Sequence, residues 1–300
     1  MNELYAADPA VCCHASDLKL LLASFGPYAG RYLANYPTDW AAQVEKQFSN
    51  AGEVETARVQ TLLRRARENL TLVTRSNLNW NVQQAWLPNA SAMLGGAAAV
   101  FDGLIALEAK PPAVQQLHEL ELPPTAEERI AGVAIEYARI SKILLLLSPE
   151  VALIDPYLNP LDRLYPPVLA ELFKLAAKGK CQKIALWVRA DRVFGARNVA
   201  VIKADIEDAL RRLAKPANFK PGREIEMVMV EDESSQSKLH GRYLLSIKGG
   251  IRLDQGFQQL PVGRKVDVGP VGRAIHSDLL DLFFDGKHDM KVAHRLSVRL

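Results

Sequence analysis

The second half of the chain alternates short apolar runs with helix-period stretches. Residues 151–154, 183–189 and 225–230 are β-branched or otherwise apolar runs of strand length. Between them, residues 167–177 and 200–213 carry apolar positions at helical spacing; Ile202, Ile206, Ala209, Leu210 and Leu213 form one stripe. Strand, helix, strand, helix, strand predicts an α/β fold with a parallel core, and loops at the carboxyl ends of such strands are where ligands bind. Thr125 and Glu128 have capping-box spacing, which predicts a helix carrying Ile130, Val133, Ala134, Tyr137 and Ile140. Two further short strands are expected at 243–245 and 251–253, joined by a turn at Gly249-Gly250. Residues 261–272 read as a Gly/Pro/Val loop and 274–284 as an apolar helix.

The first half reads differently. Asp17 is a candidate N-cap for a helix through Leu18, Leu20, Leu21 and Leu22 that breaks at Gly26-Pro27. A second helix is expected over 40–48, and residues 53–75 read as a helix turning into a strand. Residues 101–107 read as a buried strand or short helix. The pairs Pro111-Pro112 and Pro123-Pro124 stiffen a connector. The expected division is a mainly helical N-terminal region, 1–124, followed by an α/β domain, 125–300.

Composition narrows the function classes. Apolar residues make up 49% and charged residues 24%, ordinary for a globular chain of this length. The net charge of +3 does not argue for a polyanionic partner, but its placement is uneven. Residues 1–60 hold 4 Lys and Arg against 7 Asp and Glu, whereas residues 241–300 hold 10 against 6. Cys12, Cys13 and Cys181 form no metal-binding array, so neither a metal nor another cofactor is expected, and reduced thiols fit a cytoplasmic protein. The start lacks a signal-peptide pattern, and the apolar stretches 92–109 and 143–154 are too interrupted or too short for a membrane span. Arg64, Arg65 and Arg67 read as a solvated helix face or as a cluster that tracks a nucleic-acid backbone, and Trp80 and Trp86 as cover for a core edge or as surfaces on which a base stacks.

The chemistry concentrates at 224–257. A strand-like run leads through a polar loop into Lys238-Leu239-His240-Gly241-Arg242, then an apolar run, two glycines, a short strand and Gly256. This resembles the phospholipase D-like superfamily, whose motif is His-x-Lys, four residues, Asp, and a Gly-rich strand end. Here Arg242 stands in the Lys position and Ile247 in the Asp position. The His-x-Arg form is also similar to the phospholipase D-like domain of MIT-domain proteins. A second match is the apolar run 151–154 entering Asp155-Pro156-Tyr157.

The resemblance covers about residues 140–285 and implies a phospholipase D-like α/β sandwich. It implies His240 as nucleophile, giving a phospho-histidine without metal, and Arg242 as phosphate clamp. Lys238, Asp155, Arg189 and Gly256 are implied around the substrate. One such motif cannot act as nucleophile and general acid together, so a homodimer or a partner subunit is expected. The partner implied is nucleic acid, DNA or RNA, bound and cleaved by a phosphodiesterase of nuclease type. The missing Asp keeps a second expectation open: a catalytically inactive binding or scaffold subunit of a prokaryotic nucleic-acid-processing or antiviral defence assembly, or a phospholipid head-group binder. His276 and Asp278 are a further candidate acid/base pair.

Overall fold

The computed structural model describes residues 3–75, 78–95, 100–110, 112–122, 127–195 and 198–300. The chain divides into two units, Met1–Thr125 and Ala126–Leu300. Pro111, Pro123, Pro124 and the capping residue Thr125 lie outside the described residues.

The first unit contains β1 (Glu3–Ala7), α1 (Ala15–Ala23), β2 (Arg31–Ala34), α2 (Trp40–Gln47), α3 (Glu53–Glu68), β3 (Leu72–Val73), α4 (Trp86–Ser91), β4 (Gly103–Ile105) and β5 (Val114–Gln115). Its strands form one sheet in the order β3-β2-β1-β4-β5, with every neighbouring pair parallel. The expectation of a mainly helical region is therefore corrected: this unit is itself α/β. Its strands are two to five residues long and buried, so they present no alternation to set them apart from helical turns. Asp17 is not the N-cap of α1. His14 is, and the Asp17 carboxylate accepts from the His14 amide at 2.8 Å. The helix over 53–68 and the strand after it follow the expected pattern, with Arg64, Arg65 and Arg67 exposed. Trp86 is buried and donates to the Tyr36 carbonyl at 3.1 Å, while Trp80 meets the Tyr36 ring edge-on at 5.4 Å. Both tryptophans belong to a core edge.

The second unit runs β6 (Glu128–Ala131), α5 (Ala134–Leu147), β7 (Glu150–Ile154), α6 (Pro166–Lys178), β8 (Lys183–Arg189), α7 (Ala190–Phe194), α8 (Val199–Ala214), β9 (Glu224–Glu231), β10 (Tyr243–Ser246), β11 (Gly249–Leu253), β12 (Lys265–Pro270), α9 (Arg273–Phe283) and β13 (Lys291–Arg299). Eight strands form a mixed sheet in the order β13-β9-β8-β7-β10-β11-β12-β6. Its parallel centre, β7-β8-β9, is the strand–helix–strand series anticipated from the pattern. The Asn198 side chain caps α8 by accepting from the amides of Ala200 and Val201, and α6 begins with Pro at its first turn.

Four expectations change in this unit. Residues 128–131 form an edge strand rather than the start of a helix, paired with β12, where Arg129 Nη2 donates to Asp267 Oδ2 at 3.0 Å. The helix starts at Ala134 and continues to Leu147, because its last turns are buried. The expected loop at 261–272 contains β12, in which Val266 and Val268 are buried on either side of the half-buried Asp267. The β10–β11 turn is Ile247-Lys248, not the glycines: Ser246 pairs with Gly249, and the Ser246 hydroxyl accepts the Lys248 amide at 3.1 Å. Strand β13 was not anticipated; only Leu296 and Val298 of it are buried, so its sequence reads as polar. Among the described residues, no helix is long and apolar enough to cross a membrane.

Candidate functional site

The three parallel strands deliver charged residues at their carboxyl ends: Asp155 after β7, Arg189 closing β8 and Asp232 after β9. Strand β10 runs antiparallel beside β7 with Tyr243 opposite Ile154, so Arg242 enters the sheet next to Asp155. Arg242 Nε stands 3.7 Å from Asp155 Oδ1, and Arg242 Nη1 donates to the Asp254 carbonyl at 2.6 Å.

Asp155 has no exposed surface. Its carboxylate accepts the Tyr157 amide at 3.0 Å and the Phe257 amide at 3.2 Å. Burial still raises its pKa above the ordinary carboxylate range, against the pull of those amides and of Arg242. Gly256 explains the closeness. It sits at φ +69°, and a Cβ there would fall 2.1 Å from Asp155 Oδ2. The glycine thus belongs to the site by leaving room for the buried acid.

Arg189 reaches two carboxylates. Its Nε donates to Asp191 Oδ1 at 3.0 Å and lies 3.7 Å from Asp232 Oδ1. Burial would lower the Arg189 pKa, but hydrogen bonding and charge from Asp191 carry it upward. Asp232 is buried and accepts the Leu239 amide at 2.8 Å, which fixes the chain immediately before His240. The same loop is tied at its middle by Asp289, whose exposed carboxylate accepts the amides of Gln236 at 2.6 Å and Ser237 at 2.8 Å. Those bonds hold the Asp289 pKa down at about 2.

The expected site residues therefore divide. Asp155, Arg242 and Gly256 are in direct contact, and Arg189 joins the His240 loop through Asp232. Lys238 is exposed, but its ammonium is engaged within its own loop, donating to the carbonyls of Asp232 and, at 2.8 Å, Glu233. His240 is exposed, and its ring has no hydrogen-bond partner among the described residues. It also precedes β10, so strand alternation does not fix its side relative to Arg242. His276 lies elsewhere, buried against the Ser246 carbonyl at 2.8 Å at the far end of β10; burial lowers its pKa. Ile247 is exposed in that distant turn.

Besides Asp232, two participants carry no signal in the sequence. Tyr157 is part of the Asp-Pro-Tyr stretch, but its role emerges only in three dimensions: the Arg192 guanidinium lies 5.0 Å and the Arg242 guanidinium 5.3 Å from its ring centroid. Arg192 is three residues past Arg189, a spacing that α7 turns toward one surface. Arg189 and Arg192 share Asp191, with Arg192 Nε 3.4 Å from its Oδ2. The result is a rim of three partly exposed guanidiniums over the buried carboxylates Asp155 and Asp232. Such a rim suits oxyanions, which take guanidinium hydrogen bonds in pairs. Among the described residues there is no group of three His, Cys, Asp or Glu side chains placed to hold a metal ion.

No protein-family model and no curated protein matches the chain.

Proposed function

We propose that the second unit binds phosphodiester groups of nucleic acid at the Arg242–Arg189–Arg192 rim, as a phospholipase D-like binding module. The observation that carries this reading is the anchoring of Arg242 by the buried Asp155 and the Asp254 carbonyl while its guanidinium stays partly exposed. A cation held in place from behind loses little freedom when a phosphate arrives. The basic excess of residues 241–300 supports an anionic partner.

Binding is favoured over cleavage by the surroundings of His240. A nucleophilic imidazole is oriented by a second group. Its ring has no such partner among the described residues, and Ile247, in the position of the motif's Asp, lies at the opposite end of β10. The test is Arg242→Ala against His240→Ala with a labelled oligonucleotide. Arg242→Ala should weaken binding by about 1.5–3 kcal/mol, the range for a hydrogen bond to a charged group. His240→Ala should leave affinity within a few tenths of a kcal/mol of the parent, as for a side chain with no buried partner. Unchanged affinity in Arg242→Ala overturns the reading.

The exposure of His240 favours one second reading, metal-independent cleavage through a phospho-histidine. That reading requires another chain, most simply a second copy, to protonate the leaving oxygen. EDTA-resistant turnover that disappears in His240→Ala, from a species that sediments as a dimer, would establish it in place of the binding module.

A further inference from the structure

Tyr157 is the feature of this surface that binding one phosphate does not require. Its ring is partly exposed and carries two guanidiniums from different elements, Arg192 on α7 and Arg242 ahead of β10. Each is fixed again from behind, Arg192 by Asp191 and Arg242 by Asp155 with the Asp254 carbonyl. Two like charges are thus held at set positions around one aromatic ring. The two centroid distances place their central carbons no more than about 10 Å apart. A step between neighbouring phosphates on one strand fits within that bound.

We propose that this arrangement is a two-phosphate subsite for a single nucleic-acid strand. Arg242 takes one phosphate, Arg192 takes the next, and the exposed part of Tyr157 packs against the nucleoside between them. Tyr157 is the positioning residue, since both cations rest on its ring. An aromatic surface beside a backbone-tracking cation is the arrangement by which single strands are held without sequence readout. A duplex does not offer its bases to a ring at the same depth as its phosphates. The inference rests on the phosphate reading of Arg242, and its test separates the two.

Three ligands are titrated: inorganic phosphate, a short oligothymidylate, and vesicles containing a phosphorylated phosphoinositide. For the parent, the oligothymidylate should bind more tightly than inorganic phosphate. The logarithm of affinity should fall with the logarithm of salt with a slope of roughly −1.4, two phosphates at about 0.7 each. Arg192→Ala should weaken the oligothymidylate about tenfold and reduce that slope by roughly 0.7, with inorganic phosphate unaffected. Tyr157→Ala should weaken the oligothymidylate at least as much, and Tyr157→Phe, which keeps the ring, should restore it. An Arg192→Ala protein with parental oligothymidylate affinity and slope overturns the two-phosphate subsite, provided Arg242→Ala still weakens both ligands. Loss of effect in Arg242→Ala as well overturns the underlying phosphate reading instead. Tight binding to the vesicles with none to oligothymidylate overturns the strand and makes the rim a lipid head-group site.

Discussion

Both units are α/β with parallel strands at their centres, yet they differ in how far the charged and amide side chains at strand ends reach for their partners. In the first unit the Asp8 and Asn35 side chains are satisfied within their own loops, while backbone carbonyls at the strand ends are covered by tryptophans from further along the chain. Asp8, after β1, accepts the amide of Ala10 at 2.9 Å, and Asn35, after β2, bonds the Thr38 carbonyl at 2.5 Å. The last carbonyl of β1, on Ala7, is covered by the Trp40 indole at 2.7 Å. In the second unit the same positions are tied across the sequence: Asp155 to Phe257 and Arg242, Arg189 to Asp232, and Asp289 to the loop before His240. Local closure is turn chemistry and would exist in any loop of that shape. Cross-element closure leaves charged groups positioned but partly exposed, and that is the property of a binding surface.

The sharpest way to break the contrast is Gly256→Ala. A Cβ would meet the Asp155 carboxylate, on a backbone at φ +69°, so the cost should reach about 2–4 kcal/mol through strain and crowding of a buried acid. Gly52, ahead of α3, has open space where its Cβ would stand. Gly52→Ala should therefore cost well under about 1 kcal/mol, the loss of a weak cap. Urea denaturation of the two variants measures both, and equal costs would mean that Asp155 is not packed as described.

Next in size is Trp40→Phe, which leaves the buried Ala7 carbonyl unpaired and should cost about 1–3 kcal/mol. Its value lies in what should not move: phosphate affinity. A coupled loss of stability and affinity would show that the first unit supports the rim.

The Asp155–Arg242 pair gives a smaller, pH-dependent effect. The Asp155 pKa is raised in the folded state, so in the pH window between the unfolded and folded values the native protein holds more proton there than the unfolded chain does. Stability contributed by this group is complete below the ordinary carboxylate range and is lost as pH rises through the raised value. Asp155→Asn should flatten that part of the stability–pH curve, and Arg242→Ala should push the loss to higher pH by removing a stabilising charge. Parallel curves for parent and Asp155→Asn would refute the assignment.

How much of this was visible in the sequence depends on whether the signal was local. The parallel centre of the second unit was legible because β7, β8 and β9 are apolar runs separated by amphipathic helices, and Lys183–Arg189 has the expected bounds. The first sheet was not, because its strands are too short for period to separate them from helix. In the site, Asp155, Arg189, Arg242 and Gly256 were reachable from spacing and resemblance, but their contacts were not. Asp232 hides in the acidic run 231–233, and Arg192 becomes informative only when α7 carries it to Tyr157. Lys238 shows the converse. Its position beside the motif suggested a ligand contact, whereas its ammonium has nearer carbonyl partners in its own loop.

The smallest expected effect concerns that loop. Asp289 holds it through the amides of Gln236 and Ser237, two bonds made by one exposed carboxylate more than fifty positions away in the chain. Its pKa is depressed to about 2, so the hold is fully present above the ordinary carboxylate pKa of roughly 4 and fades as pH falls toward 2. Asp289→Ala should leave global stability close to the parent, because the bonds are at the surface and the core around Trp187 and Leu239 is unchanged. It should accelerate hydrogen exchange at the amides of Gln236 and Ser237 by about tenfold or more, through local opening alone. The Leu239 amide should remain slow, since Asp232 holds it independently. The comparable change in the first unit, Asp8→Ala, frees one amide within its own turn and should leave every distant amide unaffected. If Asp289→Ala also releases the Leu239 amide, the loop before His240 is one cooperative piece, and its two anchors are a single one.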